Sequence, residues 1–336
     1  MAKIGIIGAG SWGTALAVLL CKNGHEVTMW SAIGSEIDML EEKREHVDKL
    51  PGVKLPDSLQ FSKDLKESIE GKDLLVLAVP SIFTRATSKQ MKEFVTEGQI
   101  IVNVAKGIEE NTLMTLSEII EEEIPQANVA VLSGPSHAEE VGRGIPTTVV
   151  VGNKSKKTAV AIQEIFNSPV FRVYISPDVK GIEIGAALKN VVALAAGIAD
   201  GLGYGDNTKA ALITRGIAEI TRVGMAMGGK AETFAGLSGI GDLIVTCSSM
   251  HSRNRRAGIL IGQGKSMQEA MDEVKMVVEG VYSAKAGYAL SKKYEIEMPI
   301  VEQVNEILFE NKKAKDAVDT LMSRDRKAEL SDEEWK

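Results

Sequence analysis

The stretch Lys3 to Leu20, KIGIIGAGSWGTALAVLL, constrains this chain more than any other. Ile4 to Ile7 has the length and type of a buried strand. Gly8, Gly10 and Gly13 follow at G-x-G-x-x-G spacing, and Thr14 to Leu20 reads as the first turns of an apolar-faced helix. Each glycine has a physical task in such a turn. Gly8 permits the tight passage from strand to helix, Gly10 holds no side chain against an approaching pyrophosphate, and Gly13 lets the helix lie close to the strand. The free N–H groups at the helix start then face the phosphates. Alone, the spacing reads equally as an ordinary glycine turn. With a strand before it and a helix after it, it points to a dinucleotide site.

At 336 residues the chain has room for two domains with full cores. A formal net charge of −7 argues against general nucleic-acid affinity. Cys21 and Cys247 fit neither a metal spacing nor a disulfide framework, and suit a reducing cytosol. The N-terminal apolar run superficially resembles a signal peptide, but three glycines at nucleotide-loop spacing inside it argue otherwise. A second apolar run, Ile184 to Ala199, is short for a membrane span and carries Lys189 and Asn190 within it. No membrane span is expected.

Glu26 to Trp30 reads as a second strand. Further continuous apolar runs follow at Leu74 to Val79, Ile100 to Ala105, Val129 to Leu132 and Thr147 to Val151, with Phe171 to Ile175 as a candidate fifth. Helical stretches at Thr84 to Phe94, Leu113 to Glu123 and Lys157 to Phe166 lie between most of them. Ser35 to Lys49 reads as a charged helix, followed by a loop marked by Pro51 and Pro56. Such alternation predicts a doubly wound, mostly parallel α/β sheet, with an extension at one edge open. After Ser176-Pro177 no convincing strand follows, and helical patterns run from Val179 to Ala199, Lys209 to Met227, Met267 to Val274, Ser283 to Lys292 and Ile300 to Phe309. The expectation is a Rossmann domain over 1–177 and an all-helical substrate domain over 178–336, ending in a charged, frayed tail from Ser323. Ligands of open α/β sheets sit beyond the carboxyl ends of the strands. That rule gathers Gly8 to Gly13, Pro80 to Phe83, Lys106-Gly107 and Ser133 to Ser136 on one rim.

Lys189 is the only charge in IGAALKNVVALAAGIA. It reads either as a core-helix lysine snorkelling to the surface or as a buried ammonium whose pKa is lowered until it exchanges protons near neutrality. Lys106 is equally a second rim cation or a surface lysine before a glycine turn. The run Ser252 to Arg256 offers guanidinium forks that match phosphate oxygens, or is a solvated helix face. Thr246, Ser248 and Ser249 read as a polar loop. His25, His46, His137 and His251 show no zinc spacing, and neither G-x-S-x-G nor a P-loop is present, so no metal is expected.

GAGSWGTA near the start, VAKGIE at 104–109, LSGPSHAEEV at 132–141, LKNVVALAAGIADGL at 188–202, GLSGIGDLIVTC at 236–247 and SRNRRAG at 252–258 together resemble the bacterial type of NAD(P)-dependent glycerol-3-phosphate dehydrogenase. The resemblance runs from about residue 3 to about residue 310. It implies reversible reduction of dihydroxyacetone phosphate, a phosphorylated triose, to sn-glycerol 3-phosphate, using the reduced cofactor for phospholipid synthesis. It implies Lys189 as the proton donor and acceptor, and Lys106 as a contact of both substrate and cofactor. Gly134, Ser136, Asn190, Asp242, Ser252, Arg253 and Asn254 would help hold the substrate. Gly8, Gly10, Ser11, Trp12, Gly13, Ser31, Ala138, Arg253, Val277 and Glu279 would lie at cofactor-contacting positions. A cytoplasmic homodimer is also implied.

One departure concerns cofactor choice. After Met29-Trp30 the chain reads Ser31-Ala32-Ile33, with neither the arginine that meets a 2′-phosphate nor the acid that bonds a ribose hydroxyl. The nearest acid is Glu36, and the nearest bases are Lys43 and Arg44. NAD and NADP therefore both remain open. The rival readings are another two-domain dehydrogenase of hydroxy acids or sugar acids, and a non-catalytic nucleotide sensor. The first would not need the Gly241-Asp242 and Ser252 to Asn254 sets together, and the second would need no proton donor.

Overall fold

The apolar runs of the first half assemble into one eight-stranded sheet. In the computed structural model, which describes residues 1–326 and 329, the strands are β1 (Lys3–Ile7), β2 (Glu26–Trp30), β3 (Glu45–His46), β4 (Leu50–Lys54), β5 (Gln60–Ser62), β6 (Leu74–Leu77), β7 (Ile100–Asn103), β8 (Asn128–Ser133), β9 (Thr147–Gly152) and β10 (Phe171–Ser176). The large sheet has the order β10-β9-β8-β7-β6-β1-β2-β5. From β8 to β5 every neighbour is parallel; Ile4, for example, lies between Val27 and Leu74. These strands are apolar on both faces because helices cover both. Ile4, Leu16, Met29 and Phe166 fill one side of the sheet, and Ile7, Leu75, Met91 and Ile120 the other.

The sheet reverses direction at one edge. β9 pairs antiparallel with β8, and β10 then pairs parallel with β9. The connection after Ser133 explains this. Its only helix is Ala138–Gly142, of five residues, which rises about 7 Å. A strand the length of β8 spans roughly 20 Å, so the chain does not return to the sheet's far end and β9 starts where β8 stopped.

The stretch expected as one helix from Ser35 to Lys49 is a helix Gly34–Lys43 followed by the hairpin of β3 and β4. Arg44 ends the helix in the left-handed region, at φ 49°. There its guanidinium donates to the carbonyls of Pro56 and Leu59, at 3.4 and 2.8 Å, and lies over the Phe61 ring. These contacts override the stretch's local preference for helix. Pro51, expected in a loop, lies inside β4, where a two-stranded ribbon leaves its missing N–H harmless. The short edge strand β5 was not foreseen.

Beyond Ser176 the described residues form helices and no strand. The helix Val179–Gly201 is central: 19 of its 23 residues are buried, from Gly181 to Ala199. By length and composition it is the one described helix able to cross a membrane, and its apolar surface is covered by other helices of the protein. Helices Asp206–Ala226, Asp242–Ser248, Arg253–Gly262, Glu279–Lys293 and Pro299–Phe309 pack around it. The Asp242–Ser248 segment corrects the expectation of a polar loop at Thr246 and Ser248. The expected tail from Ser323 falls outside the described residues from 327 onward, except for Glu329.

Candidate active site

The glycine turn sits at the carboxyl end of β1. Gly8 has φ +118°, and a Cβ there would meet the Ala78 backbone at 2.8 Å. A Cβ on Gly13 would lie 2.1 Å from the Gly8 carbonyl, so this glycine closes the helix onto the turn. A Cβ on Gly10 would meet no protein atom within 4 Å; the space above it is open for a ligand. The helix Ser11–Lys22 starts there without a side-chain cap, leaving first-turn N–H groups for an anion. An uncapped helix end behind an open glycine fits the pyrophosphate of a dinucleotide.

This turn is one end of a cleft of about 830 Å³ between the sheet's rim and the helices. Gly8, Gly10, Ser11, Trp12, Ser31, Lys106, Ser136, Ala138, Lys189, Asn190, Asp242, Ser252, Arg253, Asn254, Val277 and Glu279 all line it. Gly13 and Gly134 do not. Gly13 packs behind the turn, and Gly134, at φ +143°, turns its carbonyl to the Lys106 ammonium at 3.1 Å.

The two lysines meet on one carboxylate. Lys189 is 4 % exposed and Asp242 2 %. Lys189 Nζ lies 2.9 Å from Asp242 Oδ1, and Lys106 Nζ donates to Oδ2 at 2.6 Å. Lys189 also donates to Thr246 Oγ1 at 2.6 Å, whose own proton goes to the Asp242 carbonyl. Burial brings the Lys189 pKa down to about 8; Asp242 opposes that shift and Lys106 adds to it. Burial alone would raise the Asp242 carboxyl, but the two ammonium groups outweigh it and hold it below its ordinary range. Lys189 does not snorkel, and the triad of charges it belongs to lies at the cleft's floor.

The helix Arg253–Gly262 is capped by Ser252, whose Oγ accepts from the Arg255 N–H at 3.2 Å. Asn254 donates to Asn190 Oδ1 at 2.9 Å and accepts from the Gly280 N–H at 2.8 Å. The Arg253 side chain makes no hydrogen bond or ion pair among the described residues, so its guanidinium is free for a ligand oxyanion. The solvated-face reading fails for this run: Asn254 is buried, and Arg253 and Arg256 face the cleft. Glu279 accepts from both the N–H and the hydroxyl of Ser81, clasping the helices to the loop after β6. Burial pushes its carboxyl above the ordinary range.

Residues beyond the expected site set also line the cleft. Thr246, expected in a polar loop, lies instead on the helix Asp242–Ser248 one turn after Asp242. Arg256 has a buried Nε without a partner. His137 also faces the cleft, and burial with Lys189 nearby lowers its pKa. Lys49 lines the cleft beyond β2 together with Glu36. This corrects the expectation that Lys43 and Arg44 are the bases nearest that end: Lys43 pairs with Glu42, and Arg44 is spent on backbone carbonyls.

Residues 3–159 match the family model described as the NAD-dependent glycerol-3-phosphate dehydrogenase N-terminus, and residues 178–319 match that of the C-terminus. The chain is 67 % identical to a glycerol-3-phosphate dehydrogenase [NAD(P)+] of Agathobacter rectalis, with 100 % of both chains covered. It is 61 % identical to the one of Fusobacterium nucleatum, over 98 % of this chain and 99 % of that one. The crystal structure of glycerol-3-phosphate dehydrogenase from Coxiella burnetii superposes with a TM-score of 0.93 at 38 % identity, covering 96 % of this chain and 99 % of its own.

Proposed function

The chain belongs to the NAD-dependent glycerol-3-phosphate dehydrogenase family, and on that premise we propose how its cleft performs the family's reaction. It is an NAD(P)-dependent oxidoreductase that interconverts dihydroxyacetone phosphate and sn-glycerol 3-phosphate. The observation that carries the reading is the meeting, in one cleft, of an uncapped glycine-turn helix, two ammonium groups bridged by Asp242, and the free Arg253 guanidinium.

The dinucleotide would be held by Gly8, Gly10, Ser11 and Trp12 at its phosphates, with Ser31, Ala138, Val277 and Glu279 along its length. The bound nicotinamide supplies or accepts the hydride. Lys189 stabilises the negative charge that develops on the substrate's carbonyl oxygen and delivers its proton there. In the reverse direction its neutral amine takes the hydroxyl proton. Lys106 lies beside it, and Asp242 holds both lysine side chains in place. Arg253 takes the substrate phosphate as a charge-assisted fork. Asn254 and Asn190 are locked to each other, and each keeps one side-chain amide hydrogen for the substrate. Ser136 and Ser252 offer hydroxyls on the same wall.

The same reading divides the chain into a nucleotide domain over 1–177 and a substrate domain over 178–336. It takes the protein as a cytoplasmic homodimer whose product feeds glycerophospholipid synthesis; the free thiols of Cys21 and Cys247 support a reducing compartment. The test follows loss of reduced nicotinamide with dihydroxyacetone phosphate and, in parallel, with unphosphorylated dihydroxyacetone. Turnover is expected with the first and little with the second. Equal rates on the two would remove the phosphate role from Arg253.

A further inference from the structure

Beyond the carboxyl end of β2 the cleft carries an acid and a base that hold each other. Ser31 Oγ donates to Glu36 Oε2 at 2.5 Å, and the Ile33 N–H donates to Ser31 Oγ at 3.2 Å. The other carboxylate oxygen, Oε1, takes the Lys49 ammonium and the His46 Nε2–H, the latter at 3.1 Å. Burial would raise the Glu36 carboxyl, but His46, Lys49 and Ser31 outweigh it and bring it down to about 2, so the group is ionised. Glu36 and Lys49 both line the cleft, whereas His46, 1 % exposed, stands behind the carboxylate. The Lys49 side chain is 32 % exposed against 9 % for Glu36. The lysine is therefore the mobile partner and the carboxylate the fixed one.

In a Rossmann domain this rim faces the ribose on which NADP carries its extra phosphate. A carboxylate accepts from ribose hydroxyls and repels a phosphate; an ammonium does the reverse. We propose that Glu36 and Lys49 jointly set the choice between NAD and NADP, Glu36 accepting from the 2′-hydroxyl of NAD and Lys49 leaving Glu36 for the 2′-phosphate of NADP. The assignment rests on the dinucleotide reading of the cleft given above. When Lys49 leaves, Glu36 keeps its bonds to His46 and Ser31, so the carboxylate is not stranded. With the pair closed, the charges cancel locally and neither nucleotide is strongly refused. Wild-type affinities for NADH and NADPH should therefore lie within about tenfold of each other, or ~1.4 kcal/mol.

The experiment titrates the full chain with NADH and NADPH, without substrate, following the fluorescence of the bound nicotinamide. Lys49→Met should weaken NADPH at least tenfold and leave NADH within about threefold. Lys49→Arg should restore NADPH. Glu36→Gln should weaken NADH and spare or tighten NADPH. Lys43→Met, remote from the cleft, should change neither. Equal loss of both nucleotides in Lys49→Met, or no loss of either, overturns the proposal, as does a wild-type preference above a thousandfold. If Glu36→Gln does not fold, the half-exposed Lys49 variants decide alone. A folded wild type that binds neither nucleotide would instead overturn the dinucleotide reading itself.

Discussion

Lys189 is legible in the sequence as the one charge in an apolar helix, and its burial turns that oddity into chemistry. With a pKa near 8 it is mostly an ammonium at neutral pH and gives up its proton at little cost. Reduction needs the ammonium, so its rate should fall as pH rises through about 8; oxidation needs the amine and should rise through the same range. Stability has its own sign. The folded value lies below the ordinary 10.5, so the unfolded chain binds more protons between those values. Stability therefore gains as pH rises from about 8 toward 10.5. Lys189→Met should abolish that slope, keep the fold and nucleotide binding, and lower kcat by ~10²–10⁴. Parallel pH profiles in both directions, with a variant kcat within a few-fold of wild type, would pass the proton role to Lys106. The partners of Lys189 were harder to read. Asp242 lies far along the chain, and only the packing of two helices brings it to 2.9 Å. Lys49 was overlooked for a similar reason: counting along the chain pointed to Lys43 and Arg44, but the hairpin of β3 and β4 folds Lys49 back to the cleft.

The packing of the helix Arg253–Gly262 on the central helix Val179–Gly201 depends on glycines. A Cβ on Gly197 would lie 2.1 Å from the Arg255 carbonyl, and one on Gly201 2.2 Å from that of Ile259. From the other side, a Cβ on Gly258 would lie 2.2 Å from the Leu194 carbonyl, and one on Gly262 2.3 Å from that of Ile198. Two helices thus cross backbone to backbone, closer than side chains allow. This crossing lays Asn254 on Asn190 and brings Arg253 to the cleft. Gly258→Ala has no flexible neighbour to displace, so the helices must part. It should cost about 1–3 kcal/mol in denaturant unfolding and raise the substrate KM more than it changes the nucleotide affinity. Unchanged stability would mean that the crossing tolerates a methyl group. In the sequence the run Ser252 to Arg256 stood open between a phosphate-binding set and a solvated helix face, and nothing along the chain marked these glycines as the contact of two helices. The strands were easier, because a buried parallel strand writes itself as an unbroken apolar run. The reversal of β9 was not legible, since direction depends on what the connection can span and leaves no mark on the strand's own residues.

At the scale of the whole molecule, polar clasps join the sheet-bearing first half of the chain to the helices beyond Ser176, two of them through residues that line the cleft. Lys106 crosses to Asp242, and Ser117 donates from its backbone N–H at 2.9 Å, and from its hydroxyl, to the buried Glu183. Ser81 crosses to Glu279. The last clasp also controls a charge. Glu279 is the largest favourable influence on the Arg253 guanidinium, though the two make no ion pair. Ser81 holds the carboxylate by two donors and so keeps it from claiming the arginine. Ser81→Ala removes the hydroxyl and leaves the N–H, so the fold should hold while Glu279 gains a free lone pair. Arg253, with its donors unspent, is the cation placed to take it, and a guanidinium paired to Glu279 is withdrawn from the substrate phosphate. A lost charge-assisted contact is worth roughly 1.5–3 kcal/mol, so the KM for dihydroxyacetone phosphate should rise about tenfold or more, with kcat and Tm little changed. The same substitution in a Glu279→Gln background separates this account from a simple loosening of the two halves. Glutamine carries no charge to compete for Arg253, so Ser81→Ala should then add almost nothing to KM. If the two substitutions act additively on KM, Ser81 merely joins the halves and does not guard the arginine.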